Sequence, residues 1–233
     1  MRYFFWICSF FYAFCIFSSD IAVVTLAIGE TYQEAVSLAI ENKRSYCQQQ
    51  GYDFICGKET YNESLQPGWS KILILLELMG NSEYKWIFWT DADSLFMNFD
   101  HRLEDLIDEN YNLLITQDMF TISTGHFFIR NCEWSRQFLL DVYSRTECHH
   151  HYSIELQPFV LEMRKLERGP LVKVLPQKRM NSYPIETISF LPSSMLLPSV
   201  YTPGDFIVHF SGEHRPNKLR TLLEDYSKKV IKE

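Results

Sequence analysis

The residues best placed to do chemistry are Asp91-Ala92-Asp93. Two carboxylates one residue apart can hold a hard divalent cation, which in turn bridges phosphate oxygens. They follow the apolar run Trp86-Ile87-Phe88-Trp89. That run is a strand pattern delivering both carboxylates to its C-terminal end, where open α/β sheets bind ligands. A bare Asp-x-Asp is more often an acidic turn with Asp capping the next element; the aromatic strand ahead of it favours the cation reading. A second constellation is Gly204-Asp205-Phe206-Ile207-Val208-His209-Phe210-Ser211-Gly212. His209 stands on a short apolar strand before a tight turn, and a neutral imidazole beside two carboxylates suits Mn²⁺. Taken alone, such a histidine is more often a hydrogen-bonded core residue. Cys148-His149-His150-His151 invites a zinc reading, but no partner pair stands at finger-like spacing, and the run reads as a polar loop.

Regular elements must position these groups. Ile21 to Ile28 is an apolar, β-branched strand ending at Gly29, suited to a central parallel position. Glu30 to Gln50 reads as a helix closed by Gly51. Tyr52 to Cys56 is a strand, Gly57 to Gly68 a polar loop, Trp69 to Met79 a helix, and Lys85 to Trp89 the strand running into Asp91. The second half is mixed: a helix from His101 to Glu109, strands from Asn112 to Thr116 and Gly125 to Ile129, and helices from Cys132 to Arg145 and Ser153 to Leu166. Short strands at Val172 to Leu175 and Phe206 to Val208 precede a closing amphipathic helix, Asn217 to Ile231. The order β-α-β-α-β in the first half is a nucleotide-binding α/β pattern, and no repeat or composition break divides the chain. The fold class is α/β, a single Rossmann-like domain over residues 20–233.

The 233 residues suffice for one well-buried domain, and 46% hydrophobic against 22% charged is a globular balance. A net charge of -7 with no basic stripe argues against nucleic acid as a partner. Met1-Arg2 followed by the apolar run Tyr3 to Phe17 reads as a signal peptide or uncleaved signal-anchor over residues 1–19, placing the chain in the secretory pathway. Cleavage and anchoring remain alternatives, because Ile16 and Phe17 make a poor cleavage site and the run is short of a full span. Cys47, Cys56, Cys132 and Cys148 could form two disulfides in that compartment, in three connectivities; Cys47–Cys56 would tie a helix end to the next strand, and free buried thiols are the alternative. Asn62-Glu63-Ser64 is an N-glycosylation acceptor.

Several segments, in order, resemble glycosyltransferase family 34, which holds fungal Golgi galactosyl- and mannosyltransferases and plant xyloglucan xylosyltransferases. They are Asn42-Lys43-Arg44-Ser45-Tyr46, Gly51-Tyr52-Asp53, Trp69-Ser70-Lys71, Trp86 to Asp93, Thr124-Gly125 with Ile129 to Ser135, Gln177 with Asn181-Ser182-Tyr183-Pro184, and Gly204 to Gly212. The resemblance spans about Ile21 to Gly212. It implies a GT-A fold with a mixed central sheet, a nucleotide-sugar donor, a glycan or glycoprotein acceptor, Mn²⁺ and a Golgi-lumen location. It also implies retention of anomeric configuration. By that similarity Asp91, Asp93 and His209 match the metal site, and Lys71 lies near the donor. The strand Val24 to Gly29, with Ala27 and Gly29, forms the nucleotide floor. Thr124 and Gly125 match the acceptor-side turn before a strand and are placed with Gly212 and His214 among the donor contacts. Gln157 matches the glutamine of an Asp-Gln pair; Glu155 stands nearby as a second carboxylate, the nucleophile in a covalent alternative. Lys71, with His214 or Arg215, could meet the departing phosphate.

The chain departs from the family pattern at Ser123, where Asn is usual, at Leu156, where Asp precedes the glutamine, and at Glu213, where Cys is usual. These departures leave a catalytically impaired sugar-binding relative as the alternative function. A haloacid-dehalogenase-like phosphatase is disfavoured, because Asp91 follows two strand–helix units and no downstream Asp-Asp pair appears.

Overall fold

The computed structural model describes residues 19–80, 84–150 and 155–232. The expected targeting segment therefore lies outside the described residues except for Ser19, as does His151 of the histidine run. Among the described residues no helix is long and apolar enough to cross a membrane.

The apolar β-branched segments form the middle of the sheet because both their faces are covered. Strand β1 (Ile21–Leu26) pairs in parallel with β2 (Asp53–Gly57) on one side and β3 (Trp86–Thr90) on the other. Helix α1 (Glu30–Gln50) makes the crossover between β1 and β2 and stops at Gly51, whose φ of 79° is left-handed. Glycine takes that conformation without a Cβ clash, and its N–H returns to the Cys47 carbonyl. Beyond β3 the sheet becomes mixed: β5 (Leu113–Gln117) and β6 (Ile122–Arg130) form a hairpin antiparallel to β3, and β7 (Val172–Leu175) runs parallel to β5. The order is β2-β1-β3-β6-β5-β7. Helices α2 (Ser70–Leu78), α3 (Glu133–Tyr143) and α4 (Leu156–Met163) bury Ile72, Leu75, Phe138 and Phe159 against Trp89, Ile115 and Phe127 on one face. On the other, Tyr46 and Cys47 of α1 meet Val23, Phe88 and Phe128.

A second, two-stranded ribbon joins β4 (Ser94–Phe96), just after the acidic motif, to β8 (Ile207–His209). It packs between α1 and the closing helix α7 (Pro216–Ser227) through Leu95, Val208, Ala39, Leu219 and Leu223. The edge of β4 is held by α1. Asn42 donates to the Phe96 carbonyl (3.0 Å) and accepts from the Phe96 N–H (2.8 Å). Lys43, fully buried, donates to the carbonyls of Ala92 (3.3 Å) and Ser94 (2.5 Å). Burial pushes the Lys43 ammonium down to about 7, against the upward pull of Asp93 and Asp91.

Four expectations are corrected. The segment expected as a helix from His101 to Glu109 is only a 3₁₀ turn, Leu103–Leu106. The Asp108 carboxylate accepts the Asn110 N–H there and offers the backbone an alternative to the helix. Helix α4 ends at Met163 instead of Leu166, because the chain enters a turn in which the Arg168 and Gly169 N–H groups both donate to the Lys165 carbonyl (3.0 and 3.1 Å); Ser153, its expected start, lies outside the described residues. Two short helices, α5 (Ile185–Ile188) and α6 (Ser193–Leu196), were not expected, although each follows a proline, the residue that favours a helix start. Cys47, Cys56, Cys132 and Cys148 are free thiols, so the Cys47–Cys56 link is not made. Cys47 is buried in the core with Val23, Tyr52 and Phe88, whereas Cys56 is only half-buried on β2.

Replacing Asn42 by leucine keeps the volume but leaves both Phe96 backbone groups unpaired. The expected loss is about 2–4 kcal/mol, seen as a lower urea midpoint at unchanged m-value. An unchanged midpoint would show that α1 does not hold β4 through this side chain.

Candidate active site

The β3 strand ends in Thr90, and the backbone at Asp91 continues the β3–β6 register, its N–H donating to the Gly125 carbonyl at 2.8 Å. The β4–β8 register sets His209 opposite Ser94, with the Phe210 N–H on the Asp93 carbonyl at 2.9 Å. Two backbone pairings thus bring Asp91, Asp93 and His209 to one point. One ligand atom from each lies within 4.8 Å of the other two. His209 Nε2 is 3.7 Å from Asp91 Oδ2 and 3.4 Å from Asp93 Oδ1. An added Cβ on Gly125 would collide with the His209 ring and come 3.3 Å from Asp91 Oδ2. Two carboxylates and an imidazole nitrogen, with only a hydrogen allowed at the residue behind them, fit a divalent ion such as Mn²⁺ in chemistry and in space.

The surrounding charges are ordered. Lys71, on α2, reaches Asp91 Oδ1 at 3.2 Å, Glu155 Oε1 at 2.5 Å and the Thr124 carbonyl at 3.1 Å. Burial pushes its ammonium down, but Asp91 and Glu155 pull harder, and the net shift is upward. It therefore stays charged. Trp89 Nε1 donates to Asp91 Oδ1 at 2.7 Å. Tyr32 stands in the same cleft, its phenol held well above its ordinary range by burial and then by Asp93 and Asp91.

These groups open onto a cleft of about 500 Å³ lined by Leu26, Ile28, Tyr32, Gln66, Lys71, Trp89, the acidic motif, Glu155 and His214. It lies past the C-terminal ends of β1 and β3, where a parallel sheet binds ligands. A second cleft, of about 440 Å³, lies on the other side of Glu213, which lines both. Asp118, Phe120, Tyr183, Glu186, Phe190 and Arg215 form part of its wall. Arg215 and Lys218 are tied to Glu213, and the Arg215 hydrogen bonds lead in holding that carboxyl down to about 2.

Of the residues expected here, Asp91, Asp93, His209, Lys71, Glu155, Thr124, Gly125 and His214 come together. Five stand apart from this group. Gln157 is exposed on α4, because on a helix it lies about 200° from the inward-facing Glu155. Ala27 is covered, packing against Ala92, and it is Leu26 and Ile28 that face the cleft. Gly29 starts α1 at φ 86° without lining the cleft, and Gly212, at φ 81°, lines the second cleft. Arg215 likewise faces the second cleft. Leu156 is half-buried beside Glu155, and the Ser123 hydroxyl accepts from the Gly125 N–H at 3.4 Å. Trp89, in β3, and Tyr32, in the first turn of α1, join the cleft although the sequence marks them only as aromatic residues.

Comparison with known proteins bears on this geometry. The sequence profile of the galactosyl transferase GMA12/MNN10 family matches residues 17–113 and 106–218. Xyloglucan 6-xylosyltransferase 4 of Arabidopsis thaliana is 31% identical over 111 residues, 43% of this chain and 22% of its own length. Galactomannan galactosyltransferase 1 of Cyamopsis tetragonoloba is 28% identical over 109 residues, 42% of this chain and 25% of its own length. The chain thus aligns with about a quarter of these relatives. Among solved structures, a glycosyltransferase involved in glycosylation of the major capsid of PBCV-1 superposes with TM-score 0.68 at 14% identity, covering 88% of this chain and 98% of that one. The galactosyltransferase LgtC, in complex with donor and acceptor sugar analogs, gives 0.55 at 11% identity, covering 91% and 97%. These likenesses establish the GT-A fold. With the profile matching most of this chain, the acidic motif included, the chain belongs to the galactosyl transferase GMA12/MNN10 family, glycosyltransferase family 34.

Proposed function

We propose that the protein is a metal-dependent glycosyltransferase of the secretory pathway, working in the Golgi lumen. It moves a hexose or pentose, with retention, from a nucleotide-sugar of the UDP-galactose, UDP-xylose or GDP-mannose class to a glycan or glycoprotein acceptor. The observation that carries this reading is the convergence of Asp91, Asp93 and buried His209 beside a buried, charged Lys71, with Asp91, Asp93 and Lys71 lining one cleft. Asp91, Asp93 and His209 would hold the divalent ion, which when bound neutralises charge developing on a diphosphate leaving group.

The protein's own groups divide the remaining work. Lys71 is fixed from three sides and offers a cation to the departing phosphate, and His214 lines the same cleft as a further donor. Glu155 is buried and paired with Lys71, so it serves to orient the lysine, and its carboxylate is not a free nucleophile. Front-face transfer follows, with the leaving phosphate taking the acceptor proton. The acceptor sugar lies in the second cleft. The exposed rings of Phe120 and Phe190 offer apolar faces to a pyranose there, and Asp118 and Glu186 offer acceptors to its hydroxyls.

One observation favours a catalytically impaired sugar-binding relative: Gln157 faces solvent and Leu156 supplies no carboxylate beside it. Donor hydrolysis by the purified protein decides between the readings. Turnover of one nucleotide-sugar is expected with Mn²⁺ and none with EDTA, and Asp93→Ala should lower kcat/KM by about 10³-fold or more. Sugar binding without turnover by folded protein would support the binding relative instead.

Two substitutions test the division of labour. Glu155→Gln should cost no more than about 100-fold, because Lys71 keeps Asp91 as a partner; complete loss in folded protein would favour the covalent route. Phe120→Ala should raise the acceptor KM about 2–10-fold and leave donor hydrolysis unchanged. An unchanged acceptor KM would move the acceptor out of the second cleft.

A further inference from the structure

Behind the metal-ligand cluster a hydrogen-bonded chain runs from His209 through Asn181 and Tyr183 to Asp118. Asn181 is fully buried. Its Oδ1 lies 2.9 Å from His209 Nδ1 and 3.3 Å from His126 Nδ1, and its Nδ2 lies 3.1 Å from the Tyr183 hydroxyl. The Tyr183 hydroxyl in turn lies 2.9 Å from Asp118 Oδ2. Asp118 is itself anchored, its Oδ1 accepting the N–H groups of Phe120 (2.8 Å) and Thr121 (2.9 Å). Gln177 holds the Asn181 main chain twice: Asn181 N–H donates to the Gln177 carbonyl at 2.9 Å, and the Gln177 side-chain Nε2 donates to the Asn181 carbonyl at 3.1 Å.

The direction of this chain can be read from one end. A carboxylate only accepts, and hydrogen bonds to an ionised acceptor are roughly twice as strong as neutral ones. The single Tyr183 proton therefore goes to Asp118. The tyrosine oxygen is left to accept, so the Asn181 amide must present Nδ2 to it and Oδ1 to the two imidazoles. Both rings then carry their proton on Nδ1. His209 Nε2, the atom nearest Asp91 and Asp93, is left with a bare lone pair. The same assignment accounts for His126 Nε2, which is buried with no hydrogen-bond partner among the described residues: as a lone pair it leaves no donor stranded. With the amide reversed, His209 would instead point an N–H into the cluster, where no cation could bind it.

We propose that Asn181 is a positioning residue that, with its direction set by Asp118 through Tyr183, holds His209 in the tautomer able to ligate a divalent cation. This rests on the reading of Asp91, Asp93 and His209 as metal ligands. A partner on the far nitrogen of a ligating histidine fixes ring orientation and basicity, and its loss weakens metal binding about 10–100-fold.

The test has two readouts besides activity. In ¹⁵N-labelled, metal-free protein, two-bond ¹H–¹⁵N correlations report the tautomer of each neutral histidine, with His209 assigned by His209→Gln. The expected pattern for His209 is Nδ1–H with bare Nε2, whether or not the protein binds metal, and the Nε2–H tautomer would overturn the proposal. Mn²⁺ affinity, followed by loss of the free-ion EPR signal, should fall about 10–100-fold in Asn181→Leu. It should be largely kept in Asn181→Asp, which retains the acceptor, and Tyr183→Phe should give an intermediate loss with a mixed tautomer. Wild-type affinity in folded Tyr183→Phe and Asn181→Leu would overturn it. Failure of the wild-type protein to bind Mn²⁺ would instead overturn the metal-site reading, and the tautomer measurement would still decide the role of Asn181.

Discussion

Two carboxylates held together at the mouth of a buried strand repel one another, and much of the surrounding structure answers that repulsion. Ligand atoms of Asp91 and Asp93 lie within 4.8 Å, a separation that costs roughly 3.5 kcal/mol or more at an effective dielectric of about 20. Lys43 sits beneath the loop, fully buried, binding the carbonyls on either side of Asp93. Lys71 lies beside Asp91 and shares its charge with Glu155. His209 closes the third side. Neither lysine stands between the carboxylates, so the space facing the cleft is left for a mobile cation. The arrangement stores an unmet demand for positive charge where a diphosphate would need it.

Topology makes that site possible. The parallel strands β1 and β3 end side by side and create the crevice, and the turn to antiparallel pairing at β6 brings Gly125 against the imidazole. The β4–β8 ribbon then fetches His209 from near the end of the chain to the residue after Asp93. Its three-residue strands could not stand alone; α1 and α7 enclose them, and Asn42 and Lys43 bind the β4 backbone directly. Conformational stability and the geometry of the site are therefore carried by the same contacts. Glu213, paired with Arg215 and Lys218, forms the wall between the two clefts and takes those cations away from the first.

The parts legible in the sequence were those with local pattern. Long apolar strands and helix α1 announce themselves by composition and by Gly51. The acidic motif stands out because an aromatic strand leads into it. The meeting of His209 with Asp91 was suggested by family resemblance and by ligand chemistry. It depends on a ribbon too short to leave a periodic signal. Gln157 shows the limit of resemblance without helix phase: Glu155 and Gln157 cannot both face the cleft, and the backbone turned the glutamate inward. Asn181 belongs to a matching segment that carries no sign of its role, since that role lies in the direction of a hydrogen-bonded chain that exists only in three dimensions. Leu103–Leu106 stays a 3₁₀ turn where the sequence reads as a helix, because Asp108 binds the Asn110 backbone locally.

The central claim is that Asp91, Asp93 and His209 jointly bind the cation that serves the donor diphosphate. The most direct measurement is anomalous scattering at the manganese edge from crystals soaked with Mn²⁺ and a nucleoside diphosphate. The account predicts one dominant peak within bonding distance of all three side chains, with the diphosphate beside Lys71. A peak elsewhere, or a nucleotide bound in this cleft with no metal at the three residues, would contradict it.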